Sequence, residues 1–249
     1  MASTDNKLAE FVARLKTAVG ANLQSVILYG SAARGETHEK YSDVNLLCVF
    51  GSLSADDLLK LSPVVTWWLD KQKEPAPLLF TMDELRESAD VFAIEFVDMK
   101  ENHRVLHGPD VVAEIAVPMN LHRVQVEHEL RSAVLKLRMH FIRRAGDAKA
   151  LYEILADSYA SVLTLLRHTL IAMGEEPADA PRDVFSRLAA IAGVDALAFE
   201  PGLVLRETGK LQRDVNAEYG DYLAALEKVI RVLDKHLPKR EWKRGGAGS

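Results

Sequence analysis

Two short apolar runs with a polar segment between them constrain the fold of this chain most strongly. Residues 25–29 (Ser-Val-Ile-Leu-Tyr) and 44–50 (Val-Asn-Leu-Leu-Cys-Val-Phe) are rich in β-branched and aliphatic side chains. Runs of this length and content predict buried strands. The first run ends at Gly30-Ser31, and the polar segment ends at Asp43, directly before the second run. The pattern therefore predicts two buried strands with a Gly-Ser turn after one and an acidic residue entering the other.

The rest of the first half alternates between helical and strand patterns. Apolar residues recur at helical spacing from Leu8 to Val19, before the first strand. After the second strand the sequence predicts a helix over 54–71, with a break at Pro63 as an alternative, a strand over 77–80, a short helix over 82–88 and a fourth strand over 91–99. Strands alternating with helices indicate an α/β domain.

The second half of the chain lacks a convincing strand pattern. After Pro118 the apolar residues recur at helical spacing over 119–144, 147–173, 181–192, 195–209 and a long final segment. This pattern predicts a bundle of four or five helices. The predicted boundaries are an α/β domain at 1–112, an all-α helical bundle at 118–238 and a flexible tail at 239–249.

Composition excludes several classes of protein. The 249 residues include 48% hydrophobic residues, which is enough for a folded core. The single cysteine, Cys48, excludes a disulfide scaffold and a cysteine-based zinc site. The formal charge is −5, from 31 Lys and Arg against 36 Asp and Glu, and this balance does not favour a nucleic-acid partner. With no signal peptide and no long apolar run, we expect a cytoplasmic protein without a membrane span.

The Gly-Ser turn and the polar residues near it have the chemistry of a metal-assisted phosphate site. Backbone N–H groups and the Ser31 hydroxyl at such a turn can donate to phosphate oxygens, and Arg34 in the same segment can pair with phosphate. Asp43 and Asn45 are two residues apart, so on a strand both side chains project from one face. Acidic side chains in this arrangement can hold Mg²⁺ and bridge it to a triphosphate.

This motif resembles that of the DNA-polymerase-β-like nucleotidyltransferase superfamily. Members carry Gly-Ser, a spacer of roughly a dozen residues and then Asp-x-Asp or Asp-x-Glu; the matching residues here are Gly30, Ser31, Arg34, Gly35, Ser42 and Asp43. The order of elements is most similar to that of small bacterial enzymes with an appended helical domain, such as the aminoglycoside nucleotidyltransferases. The resemblance implies a nucleotidyltransferase-like domain with a short mixed sheet. It also implies transfer of a nucleoside monophosphate from an NTP, with Mg²⁺ or Mn²⁺, to a hydroxyl of a small molecule or protein.

The resemblance also implies roles for particular residues. Gly30, Ser31 and Arg34 would bind the phosphates, while Asp43 and Asn45 would hold the metal. Family members carry a third carboxylate on a later strand, which takes the proton of the acceptor hydroxyl. If that strand is 77–80, the position is apolar and the base is missing. If it is 91–99, Glu95 or Asp98 could serve, and Glu95, inside an otherwise apolar run, is the preferred candidate.

The chain departs from the family pattern at Asn45, where the second carboxylate is expected. An amide oxygen can ligate Mg²⁺, but it is neutral, so the site has one negative charge fewer. This leaves open a second hypothesis, a catalytically degenerate nucleotide-binding or protein-interaction module. A role in a toxin–antitoxin pair is a weaker third hypothesis, and a homodimer is compatible with the sequence.

Overall fold

The computed structural model describes residues 2–30, 32–33, 44–176, 178, 180–210 and 213–236. The chain divides into two compact units, Met1–Leu121 and His122–Ser249. The boundaries predicted from the sequence, with domains at 1–112 and 118–238, remain predictions. The tail predicted at 239–249 lies outside the described residues.

The first unit is a four-stranded mixed sheet with helices. In chain order its elements are α1 (Ala2–Val19), β1 (Leu23–Tyr29), β2 (Asn45–Phe50), α2 (Ala55–Asp70), β3 (Leu78–Thr81), α3 (Met82–Glu87), α4 (Ala93–Glu101) and β4 (His103–His107). The sheet order is β3-β2-β1-β4, in which β1 is antiparallel to both its neighbours and β2 is parallel to β3. The α/β class and the short mixed sheet predicted from the sequence are confirmed.

Alternation along the strands directs their side chains into two separate cores. On one face of the sheet, Leu28, Leu46 and Cys48 pack with residues of α1 and α2 such as Phe11 and Trp68. On the other face, Ile27, Leu47 and Val49 pack with residues of α3 and α4 and with the segment after β4; that group includes Leu85, Phe96, Met99 and Val112. Because side chains alternate along a strand, Tyr29 and Asn45 belong to the face covered by α4.

The strand predicted over 91–99 is wrong, because residues 93–101 form the helix α4. Of its buried residues, Phe96 and Met99 are three apart, so they share one face of the helix, and both pack in the core on one face of the sheet. The β-branched and aromatic content favoured a strand, but packing against the sheet decided the outcome. The fourth strand is instead β4, an edge strand with a mixed polar and apolar sequence.

The helix predicted over 54–71 is continuous, so the alternative of a break at Pro63 is wrong. Proline removes one backbone donor inside α2, which leaves the carbonyl of Leu59 without its helical partner. Leu59 is 72% exposed, so water can reach that turn of the helix. The N-terminus of α2 is held by a capping box between Ser54 and Asp57.

The second unit is helical, as the sequence predicts. Its elements are α5 (Met119–Arg144, which begins in the first unit), α6 (Ala148–Ala172), α7 (Pro181–Ala192), α8 (Pro201–Thr208) and α9 (Val215–Lys235). Buried polar groups join these helices. His122 Nε2 of α5 lies 2.9 Å from His168 Nδ1 of α6, and the Tyr219 hydroxyl of α9 donates to the carbonyl of Leu137 in α5. None of the described helices in either unit is long and apolar enough to cross a membrane.

Gly108 closes the turn after β4 at a point where no side chain fits. Its φ is +75°, and a Cβ at this position would lie 1.9 Å from the backbone oxygen of Gln24. The buried hydroxyl of Ser25 fixes the same turn, since it lies 3.2 Å from the carbonyl of His107 and 2.8 Å from that of Pro109. The turn therefore packs directly on the backbone of β1.

We expect Gly108→Ala to lower the free energy of unfolding by about 3 kcal/mol or more, because backbone strain and a steric clash with Gln24 add together. Gly20→Ala is the matched control, since Gly20 has a φ of +55° but open space around its Cβ position. The control should cost about 1 kcal/mol, from strain alone. Urea unfolding of both variants measures the difference, and equal losses would contradict the close approach at Gly108.

Candidate active site

Gly30 turns the chain sharply at the end of β1. Its φ of +77° lies in the left-handed region that favours glycine. The Gly30 N–H donates to the carbonyl of Asn102 at 3.2 Å, and the Gly30 carbonyl accepts from the N–H of Ala33 at 3.0 Å. Gly30 thus occupies the tight turn that the sequence predicts after the first strand. Ser31 and Arg34, the other predicted phosphate-binding residues, lie outside the described residues.

Asn45 begins β2 and lies directly beside this turn. It pairs with Tyr29 across the antiparallel β1–β2 ladder, and its side chain is half-buried. A Cβ added to Gly30 would lie 3.4 Å from Asn45 Nδ2, so the amide of Asn45 reaches the backbone of the turn. The structure therefore brings two predicted site residues, Gly30 and Asn45, together at one end of the sheet. Asp43 lies outside the described residues.

The helix α4 brings two carboxylates to the same face of the sheet. Glu95 and Asp98 are three residues apart, so they share one face of the helix, and both are half-buried. Burial and the negative charges of Glu95 and Asp98 together raise the pKa of Tyr29 to about 12. Both carboxylates therefore act on the residue that pairs with Asn45. The tyrosine keeps its proton near neutral pH and remains a hydrogen-bond donor.

The structure places the candidate base, Glu95, on a helix and not on a strand. The sequence predicted Glu95 on a strand, whereas it lies in the first turn of a helix. On a strand, Glu95 and Asp98 would project from opposite faces because their separation is odd. On α4 the two carboxylates lie on one face of the helix, so Glu95 and Asp98, the two alternative bases, form a pair.

A third carboxylate, Glu74, holds the start of β2 from the other side. Its Oε2 accepts a hydrogen bond from the backbone N–H of Val44 at 3.1 Å, and its Oε1 forms an ion pair with Lys7. Val44 belongs to the core between the sheet and α1 and α2. No sequence pattern predicts this contact, because Glu74 lies in a charged loop 30 residues away from Val44.

The oxygen-rich donor set at this end of the sheet suits a hard cation. Carboxylate and amide oxygens are the ligands that Mg²⁺ and Mn²⁺ prefer. Within the described residues, no group of three or more His, Cys, Asp or Glu side chains is arranged to hold a metal ion. Asn45 and the α4 carboxylates supply oxygen donors of the kind that such a metal prefers, and the predicted ligand Asp43 lies outside the described residues.

The ring of His103, at the start of β4, has structural partners on both of its nitrogens. The ring nitrogens of His103 lie 2.7 Å from the carbonyl of Met99 and 3.0 Å from Asp110 Oδ2. The hydrogen bond with His103 is the main cause that lowers the pKa of Asp110 below its usual value. His103 therefore ties the end of α4 to the segment after β4, and through α4 it supports the placement of Glu95 and Asp98.

Comparisons with known proteins agree with this architecture. Residues 6–107 match the family model of the nucleotidyltransferase domain. Among solved structures, the chain is similar to spectinomycin adenyltransferase AAD(9) from Enterococcus faecialis, whose crystal structure contains ATP and spectinomycin. The two are 14% identical with a TM-score of 0.55, over 92% of this chain and 99% of that chain.

At that identity the structural match shows a shared fold alone, and it extends through the helical unit. None of the curated proteins matches the chain. The domain match covers the sheet, the Gly30 turn and α4, which are the parts that carry Asn45, Glu95 and Asp98. The resemblance seen in the sequence is thus confirmed: residues 6–107 match the nucleotidyltransferase domain, and the chain shares the fold of spectinomycin adenyltransferase AAD(9).

Proposed function

We propose that this protein is an active enzyme that transfers a nucleoside monophosphate from a metal-bound NTP to a hydroxyl group of a small molecule. One observation carries the proposal: the turn at Gly30, the amide of Asn45 and the α4 carboxylates, linked through Tyr29, lie on one face at one end of the sheet. The nucleotidyltransferase domain match covers all of these residues.

In this proposal the turn after β1 binds the triphosphate. The backbone N–H groups that follow Gly30, the Ser31 hydroxyl and the Arg34 guanidinium would donate to phosphate oxygens. The left-handed backbone of Gly30 allows the chain to turn closely enough for this.

Asp43 and Asn45 would hold Mg²⁺ or Mn²⁺, which offsets the negative charge of the triphosphate when it is bound. The neutral amide of Asn45 supplies an oxygen ligand but no charge. Asp98, one helical turn from Glu95, adds a negative charge on the same face of the sheet, and this offsets part of the deficit. The residues of this chain therefore keep an acidic environment at the site despite the substitution.

Glu95 is the proposed general base. It would accept the proton of the acceptor hydroxyl as the hydroxyl oxygen forms its bond to the α-phosphorus. The bond from the α-phosphorus to the bridging oxygen breaks, and pyrophosphate leaves. Tyr29 retains its proton, so its hydroxyl can donate to a carboxylate or to substrate at the same place.

The structural neighbour indicates which class of acceptor to test first. That enzyme was crystallised with ATP and spectinomycin, and its fold matches this chain over both units. We infer that ATP is the first nucleotide to test and that a small polyhydroxylated compound is the acceptor class. A hydroxyl-bearing side chain of a protein is the alternative acceptor.

The experiment that tests the function measures binding and transfer separately. Calorimetry with Mn²⁺ and ATP gives the affinity, while α-labelled ATP reports transfer to spectinomycin or to protein. An active enzyme binds Mn·ATP and transfers label with the wild-type sequence. A wild-type protein that neither binds nor transfers, next to an Asn45→Asp variant that does, would establish the degenerate module instead.

For the active enzyme we expect Asn45→Asp to tighten Mn·ATP binding by roughly tenfold, because an added carboxylate charge at a cation site raises affinity. Asn120→Asp is the control, since it adds the same charge at an exposed position at the start of α5. The control should leave binding unchanged. If both variants behave alike, Asn45 does not lie at the metal.

A further inference from the structure

The C-terminal half of α5 carries an exposed stripe of large apolar side chains. Leu135, Met139 and Ile142, which form this stripe, are 62%, 56% and 69% exposed. They are spaced by four and then by three residues, so they lie along one face of the helix. Val134 and Leu137, in the same turns, are buried, so the packed face of α5 is a different one. The exposed stripe is therefore additional to the apolar face that folding needs.

Cations flank the exposed stripe on both sides. The spacing of the stripe is that of alternating d and a positions in a heptad repeat, with Leu135 at d. Between residues 131 and 143, each e and g position is then a cation: Lys136 and Arg143 at e, Arg131 and Arg138 at g. These four residues, the cationic rim, are all exposed. Because e and g residues border the seam between paired helices, their charges select the helix that pairs there.

The cationic rim is only partly neutralised within the fold. Residues 131–144 contain five Lys or Arg and no Asp or Glu, in a chain whose formal charge is −5. Arg131 and Arg138, the two g residues, each form an ion pair of 2.7 Å with a glutamate of the same chain. Lys136 and Arg143, the two e residues, form no ion pair with the residues that the structure describes. The rim therefore keeps positive charge that an anionic partner can use.

The width of the exposed stripe indicates which kind of surface covers it. Helices that lie on a membrane present a broad apolar face, commonly with Trp or Phe, whereas the seam of a helix pair is a narrow line of a and d residues. The stripe on α5 is one such narrow line, without Trp or Phe, and cations border it directly. Nucleic acid would use the cations but not the apolar line. The pattern therefore favours another helix.

Charge excludes the two coverings that this chain could supply itself. Pairing two α5 helices, in either orientation, sets the e and g residues of one copy against those of the other, so cation would face cation. Residues 237–249 are unsuitable for the same reason, because they contain four Lys or Arg and one Glu. The helix that fits the stripe therefore belongs to a different, acidic protein.

We propose that residues 131–143 of α5 are a docking surface for an amphipathic helix of another protein, with apolar residues at a and d and carboxylates at e and g. The apolar residues of that helix cover the exposed stripe, and its carboxylates pair with Lys136 and Arg143. This inference goes beyond the proposed nucleotidyl transfer and does not depend on it, because all of these residues lie in the helical unit.

Designed peptides test the docking surface on the full chain, by fluorescence anisotropy. One peptide carries Leu at a and d with Glu at e and g; a second has Lys at e and g, and a third has Gln at a and d. The first should bind at least about tenfold more tightly than either of the others, since it alone matches both the charge and the apolar seam. Equal affinities, or no binding of the first peptide, overturn the inference.

Substitutions on α5 show whether the peptide binds at the proposed place. Ile142→Gln removes one apolar contact and Lys136→Glu reverses one charge of the rim, and each should weaken binding by about tenfold. Leu59→Gln is the matched control, because Leu59 is an exposed leucine on α2, and it should stay within about twofold of wild type. All three side chains are exposed, so the melting temperatures should change little. Unchanged affinity in both α5 variants overturns the proposal.

Two further measurements identify the other occupants directly. Wild-type protein should stay monomeric in sedimentation velocity and should not bind phosphatidylglycerol vesicles more than phosphatidylcholine vesicles. A dimer that Ile142→Gln dissociates would assign the stripe to a second copy of the chain. Binding to phosphatidylglycerol vesicles that Ile142→Gln abolishes would assign it to a membrane surface, and either result overturns the acidic helix as its occupant.

Discussion

Replacing Asp43 by alanine should reduce kcat/KM for nucleotidyl transfer by about a thousandfold or more. Charge stabilisation by a bound metal contributes several kcal/mol to a reaction of this kind, and each 1.4 kcal/mol corresponds to about tenfold in rate. Asn45 is neutral, so Asp43 is the one carboxylate left in the strand motif of the family. Its removal should therefore abolish Mn·ATP binding as well as transfer.

Label transfer and calorimetry on the same protein preparation measure both effects. Asp83→Ala is a suitable control, because the Asp83 side chain is 89% exposed on α3 and its contact with Arg86 is long at 3.9 Å. The melting temperature should change little in either variant. Retention of metal-dependent transfer by Asp43→Ala would show that another residue holds the metal and would remove the basis of the proposed site.

The strands and the turn could be predicted from the sequence because their signals are local. The largely apolar runs before Gly30 and after Asp43 are short and bounded by turn-forming or polar residues, and they became β1 and β2. The left-handed turn at Gly30 follows from the same pattern, since glycine is favoured where a strand must reverse.

The segment that became α4 could not be assigned from its own residues. The run from Val91 to Met99 fits a buried strand by composition and a helix by spacing, and only its packing against Ile27, Leu47 and Val49 distinguishes the two. That difference matters for function, because a helix places Glu95 and Asp98 on one face and a strand does not.

The contacts that organise the site are long-range and left no sequence signal. Glu74 reaches Val44 across 30 residues, and Asn102 accepts from Gly30 across the β1–β4 pairing. Hydrogen bonds between residues far apart in the sequence follow no periodicity and no local motif, so the sequence alone gives no reason to select these residues. Packing of the sheet and its helices brings them together, and the structure is needed to find them.

Glu95→Gln is expected to lower kcat by about 10²- to 10⁴-fold, the range typical of removing a general base. Glutamine keeps the shape and a hydrogen-bond acceptor, but it cannot take up the proton of the acceptor hydroxyl. Binding of Mn·ATP should fall only modestly, because the base acts on the acceptor and the proposed metal ligands are Asp43 and Asn45. The split between a large loss in kcat and a small loss in affinity is therefore the diagnostic result.

Two further variants of α4 make that result specific. Glu101→Gln changes an exposed carboxylate at the C-terminal end of the same helix and should leave kcat unchanged. Asp98→Asn removes the neighbouring charge and should weaken Mn·ATP binding more than it lowers kcat, because Asp98 contributes charge and takes no proton. If Asp98→Asn shows the large loss in kcat and Glu95→Gln does not, the two roles are exchanged. If neither variant loses activity, the base does not lie on α4, since these are the two α4 carboxylates that act on Tyr29.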